Sequence, residues 1–172
     1  MPQTPTLHFQ LPRTPRYTGT ILLPLRAFLG VTFLYAGLQK FADPAFLSSS
    51  NPASINSQME AAARTSPIGG LLGSAGHFAT LIGLLIAFGE IAVGVGALLG
   101  LWTRIAALGG MLLSLGFLLA VSWHTQPYYL GPDIISLFAW TPLAVAGDGG
   151  VLSLDAYLSQ RVARQTRATG PD

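Results

Sequence analysis

Residues 78–104 read FATLIGLLIAFGEIAVGVGALLGLWTR. From Phe78 to Gly100 there is no proline and one charge, Glu90. At about 1.5 Å per residue, such a run crosses a hydrocarbon core of roughly 30 Å. The short Leu101–Arg104 link leads directly into a second apolar run, about Thr103–Trp123. A link that short predicts an antiparallel helix hairpin. Upstream, about Thr20–Phe41 is also apolar. Arg26 interrupts it, and Leu34 stands where cleavage after Ala36 would need a small residue, so it reads as a retained helix and not a signal peptide. Downstream, about Asp133–Gly147 is shorter and holds Pro142. Charge placement favours a full, locally kinked crossing, lengthened by Tyr128–Leu130. Gly147–Gly150 then breaks the chain, and Leu152–Val162 reads as an amphipathic helix on the membrane surface.

Composition agrees with these runs. The chain is 51% hydrophobic and 9% charged, against about 25% charged in a soluble domain. That excludes a cytosolic globular enzyme and a disordered chain. The chain contains no cysteine, which excludes thiolate nucleophiles, disulfide exchange and cysteine-ligated clusters within it. The net charge of +2 does not mark a nucleic-acid binder. With four crossings, Arg13, Arg16, Arg104, Arg161, Arg164 and Arg167 share one side, and Arg64 alone faces the other. The positive-inside rule then places both termini in the cytoplasm. The expected architecture is an all-α integral membrane four-helix bundle in the cell's inner (plasma) membrane. It has a mobile N-terminal arm over 1–19, a transmembrane domain over 20–158 and a basic tail over 159–172. The long outer 42–77 loop should cap the bundle, with Ser54 starting a helix across Ile55–Arg64 and Ile55, Met59 and Ala62–Ala63 facing inward.

Two groups of polar residues stand out in this apolar frame. On a helix turning about 100° per residue, Arg26, Gly30, Phe33, Gly37 and Lys40 form one stripe, and Gly83, Glu90, Gly94 and Ala97 form another. Glycines admit close helix approach, so both stripes should face the interior. Glu90 lies roughly 15 Å, and Arg26 about 9 Å, from the cytoplasmic ends of their helices. Arg26 is therefore the expected partner of Glu90, although the N-terminal tilt of Cβ bonds draws the two apart. Such a pair either fixes helix register or serves as a proton relay and polar wall for a redox ligand. A third alternative is a snorkelling arginine beside a protonated glutamate. The second group, near the outer surface, is Lys40, Asp43, Trp123, His124, Tyr128, Tyr129 and Asp133. Interfacial aromatics are ordinary anchors. A quinone headgroup nevertheless needs hydrogen-bond donors and a proton source, which Lys40, Tyr128, Asp133 and His124 offer at one level. Lys40 and Arg64 would also attract an anion. His8, His77 and His124 have no metal-ligand spacing, and a haem between His77 and His124 is the disfavoured alternative. No phosphate loop, nucleophile elbow or nucleic-acid signature is present.

Several ordered elements together resemble the DoxX/DoxD family of small membrane proteins, over about residues 22–158. They are Arg26 with Gly30, Gly37-Leu-Gln-Lys40-Phe, Glu90 with Gly94, Gly100-Leu-Trp-Thr-Arg104-Ile-Ala-Ala, and Gly147-Asp-Gly-Gly-Val-Leu-Ser153-Leu-Asp155. The outer loop, with Asp43-Pro44-Ala-Phe46 and Ser66-Pro67-Ile68, resembles the DoxD-like branch. That resemblance implies a membrane subunit of a quinone-coupled oxidoreductase of the thiosulfate:quinone type, with a DoxA-like partner supplied as a separate chain. Quinone would be a diffusible substrate. Glu90, Arg26 and His124 are the catalytic candidates, and Lys40, Tyr128 and Asp133 the quinone-binding candidates. Membrane lipid and a second copy of the chain are the other expected partners. The alternatives are a noncatalytic scaffold for a redox protein and a small transporter, the latter without the inverted repeat typical of that class.

Overall fold

The computed structural model describes residues 16–48, 51–147 and 151–168. Among them there are helices and turns and no strand. The helices are α1 (Arg16–Ala42), α2 (Ile55–Thr65), α3 (Gly69–Ala75), α4 (Ala79–Leu99), α5 (Thr103–Ala120), α6 (Pro132–Ala146) and α7 (Leu154–Ala168). Three segments are long and apolar enough to cross a membrane: Thr20–Ala42, Gly69–Leu99 and Thr103–Ala120. The apolar α6 is shorter, at 15 residues.

Helix α1 packs along α4, α4 along α5, α5 along α6, and α6 returns to α1. Their shared core is Leu29, Phe33, Val93, Ala97, Ala107, Trp140 and Leu143. Phe33 meets Trp140 edge-on at 5.2 Å between ring centroids. Glycines set how closely the helices approach. A Cβ on Gly94 would lie 2.5 Å from the Leu34 backbone nitrogen, and one on Gly110 would lie 2.3 Å from the Trp140 ring. Both expected stripes do face inward, with Arg26, Gly30, Phe33 and Gly37 buried on α1 and Gly83, Glu90, Gly94 and Ala97 on α4. The outward faces carry Phe28, Leu85, Leu112 and Phe138, all well exposed. Helices that are apolar on their outer faces as well suit a lipid surround.

The loop after α1 folds as a cap. Ser54 Oγ accepts the Ser57 backbone N–H at 3.2 Å, so α2 begins at the residue that the capping chemistry predicts. Ile55, Met59 and Ala62 are buried, as its apolar face requires. Ile55 and Met59 join Phe46 and Ala79 in a second small core. This cap closes the end of the molecule where α1 and α5 finish and α4 and α6 begin, here called the cap end.

The opposite, hairpin end is stitched through backbone groups. Gly100 takes φ of 62° and ends α4, while the Leu101 N–H returns to the Gly96 carbonyl. Ser153 Oγ donates to the Gly100 carbonyl at 2.9 Å, and the Trp102 N–H donates to Asp155 Oδ2 at 2.7 Å. These bonds fasten the start of α7 to the α4–α5 turn.

Three expectations shift. Helix α1 starts at Arg16, inside the expected arm, whose residues 1–15 lie outside the described ones. Tyr128–Leu130 forms a separate 3₁₀ turn and does not lengthen α6, because Pro132 stands at the first turn of that helix, where it starts a helix rather than continues one. Helix α7 runs to Ala168, through much of the expected tail. Gly147, with φ of 75°, ends α6, and the rest of the expected break, 148–150, lies outside the described residues. Pro142 inside α6 lacks the N–H that would reach the Phe138 carbonyl, and the Thr141 hydroxyl takes that carbonyl at 2.6 Å.

Candidate functional site

The register of α1 against α4 decides which charges meet. A Cβ on Gly37 would touch the Ala87 carbonyl and Ile91, so Gly37 lies near the level of Glu90. Lys40 is about one turn further toward the cap end, whereas Arg26 lies about three turns, or roughly 16 Å, in the other direction. Side chains lean toward the N-terminus of their own helix. Glu90 therefore leans toward the cap end and Arg26 toward the hairpin end. The expected Arg26–Glu90 pair does not form, and Glu90 pairs with Lys40. Lys40 Nζ lies 2.8 Å from both carboxylate oxygens, with its hydrogen bond directed to Oε1. Oε2 has only this ionic contact among the described residues. Arg26, 2% exposed, donates to the carbonyls of Val151 at 3.2 Å and Leu152 at 2.7 Å. It clamps the chain just before α7.

The two partners are unequally buried. The Glu90 side chain is 3% exposed and that of Lys40 24%. An ammonium has three N–H donors. Glu90 engages one side of it, and the Phe117 ring lies 5.6 Å from Nζ at its centroid. Lys40 thus keeps donor capacity directed away from Glu90.

That capacity faces a cavity of about 410 Å³. The cavity lies beneath α2 and α3 and against α4 and α5. Its walls include Phe46, Met59, Ile86, Leu113 and Phe117, with Lys40 and Gln58 as the polar contributors. A largely apolar hollow with a few placed polar groups is the usual form of a small-molecule site, commonly about 300–1,000 Å³. Neither Gln58 nor Phe117 carries a signal in the sequence. Gln58 lies on a cap helix legible only by its apolar face, and Phe117 lies in the unbroken apolar run of α5.

The other candidates lie at the same end but outside the cavity wall. Asp133 accepts a short hydrogen bond from the Ser122 hydroxyl and lies within electrostatic range of Lys40 and Glu90. His124 Nε2 sits 2.6 Å from the Thr65 carbonyl, which requires that nitrogen to carry the proton. This bond ties α5's exit to the end of α2, as does Ser66 Oγ donating to the Leu119 carbonyl at 2.7 Å. Tyr128 is exposed and meets Tyr129 edge-on. Asp43 closes its own turn by accepting the Ala45 N–H, and Arg64 stands exposed on α2. No group of three metal-ligating side chains occurs among the described residues.

A protein-family model described as DoxX matches residues 21–123. That match covers most of α1 and all of α2 through α5, and with them Lys40, Glu90 and every wall of the cavity. No curated protein and no solved structure matches the chain.

Proposed function

The chain belongs to the DoxX family, and from that premise we propose that it is the membrane subunit of a quinone-coupled oxidoreductase with the capped cavity as its headgroup site. It is a multi-pass membrane protein, with three long apolar helices. In this reading α6 makes a fourth crossing, both termini face the cytoplasm, and the membrane is the inner one. The observation that carries the reading is an ion pair between the buried Glu90 and the part-buried Lys40, opening on a largely apolar hollow. A quinone ring is flat and apolar with carbonyl acceptors. Phe117 offers it an aromatic wall, and a remaining Lys40 N–H offers a carbonyl its hydrogen bond. Reduction places negative charge on that oxygen, where a preorganised ammonium is most stabilising. Glu90 holds Lys40 in place. Asp133, Ser122 and His124, at the same end, serve as proton carriers. Arg26 belongs to the hairpin-end clamp. Thiosulfate is the proposed electron donor, as in the DoxD-like branch, and a DoxA-like subunit is its companion.

The test is thiosulfate-dependent quinone reduction by the mildly solubilised protein with its native partners retained. Activity in the parent should fall at least about a hundredfold in Glu90→Gln, the effect of losing a positioned charge, while the variant still assembles. No activity with partners present and the protein intact would remove the reading. A noncatalytic scaffold is the second reading. It is favoured by α7, which presents Tyr157, Leu158 and Arg161 to the outside. Partner retention without any quinone dependence would select it.

A further inference from the structure

The cavity has two kinds of wall. Helices α2 and α3 roof it, and α4 and α5, both within segments apolar enough to span a bilayer, form its side. The side is incomplete. Gly116 lines the cavity, is itself exposed, and would place an added Cβ in open space, with nothing within 4 Å. One turn earlier on α5, Leu112 lines the cavity yet is 71% exposed, and across from it Leu71 on α3 does so at 66%. A side chain that lines a hollow and also faces outward marks the rim of an opening. The surface around this rim is apolar, with Leu85 on α4 and Leu115 on α5 exposed. A free anion such as thiosulfate would have to shed its water to enter and would find one ammonium and one amide inside. An amphiphile already dissolved in the bilayer meets neither obstacle.

We propose that the cavity is loaded sideways from the bilayer through the gap at Leu71, Leu112 and Gly116. Its ligand is an amphiphile whose carbonyl headgroup reaches Lys40 while its hydrocarbon tail lies out through the gap. The proposal rests on the quinone reading and adds the route and the tail contact to it. The water-soluble electron donor then acts from outside the cavity, through a partner.

Two quinones with the same headgroup separate these ideas, one without a tail and one with a decyl tail. Their binding to the purified full chain in lipid nanodiscs is compared for the parent, Leu112→Trp and Gly116→Phe, with thermal unfolding as the check on folding. Each gap variant should weaken the decyl compound about tenfold, equivalent to about two buried methylenes, and leave the tail-less compound within about twofold, a difference below 0.5 kcal/mol. The two substitutions lie one turn apart on α5 and differ in what they replace, a leucine and a glycine, so a folding failure in one leaves the other to decide. Unchanged decyl binding in a folded variant would overturn the lateral route and leave the quinone reading standing, as would an equal loss for both compounds. Absence of binding by either compound to the parent would remove the quinone reading, and this inference with it.

Discussion

Helix α1 carries a cation toward each end of the molecule, and the two ends use them differently. At the hairpin end Arg26 is 2% exposed and its guanidinium donates to the carbonyls of Val151 and Leu152. The turn beside it is closed by Gly100, Ser153 and Asp155. At the cap end Lys40 is bound on one side by Glu90 and open on the other to a hollow. A planar, five-donor guanidinium suits several fixed backbone acceptors, and a compact ammonium on a flexible stem suits the open site proposed to receive a ligand. Burial of a charge therefore does not by itself indicate function. The separating feature is whether there is space beside the charge, and the cavity lies beside Lys40.

The strongest way to break this comparison is Lys40→Ala. It strands Glu90 in the interior, and removing one member of a buried pair costs about 3–5 kcal/mol. Thermal unfolding in detergent should show a larger loss than for Glu90→Gln, where the surviving lysine can turn to the solvent it already touches. Equal losses would mean that the pair is not the buried anchor described here. Next is Arg26→Gln, which removes at least two charge-assisted bonds worth about 1.5–3 kcal/mol each before relaxation. Tryptic cleavage at Arg161 and Arg164 should accelerate as α7 detaches, with the proposed quinone binding at the cap end unchanged. A change in quinone affinity would erase the distinction between the ends. The smallest effects sharpen the picture of packing. Gly94→Ala drives a methyl group into the Leu34 backbone and should destabilise by about 1–3 kcal/mol. Gly116→Ala enters open space and should be neutral or stabilising by up to about 1 kcal/mol.

Much of the architecture was legible beforehand because it rests on local rules. An uninterrupted apolar run with a terminal glycine predicts α4 to within a residue at each end, and Ser54 before an apolar face predicts α2. Both glycine stripes point inward as their spacing requires. The partner of Glu90 was not legible, because it depends on the axial register of α1 against α4. That register is set by close contacts at Gly30, Gly37 and Gly94, and counting residues from approximate helix ends misplaces it by several residues. The Cβ tilt pointed the right way and outweighs the apparent match of levels. The cavity was hidden for a different reason. A void is made by what the cap fails to fill, and Phe117, Gly116 and Leu112 have no feature that marks them within an apolar helix.

The Lys40–Glu90 bond joins residues fifty positions apart, and α2 and α3 lie within the loop it closes. During biosynthesis α1 leaves the ribosome well before Glu90 is made, and Glu90 then arrives in the middle of the most apolar stretch of the chain. An unpaired carboxylate at that depth is costly to insert. The first helix must therefore still be at hand, with Lys40 unengaged, when the fourth is delivered to the membrane. A substitution at Lys40 should then reduce the amount of protein inserted into the membrane as well as the stability of what has been inserted.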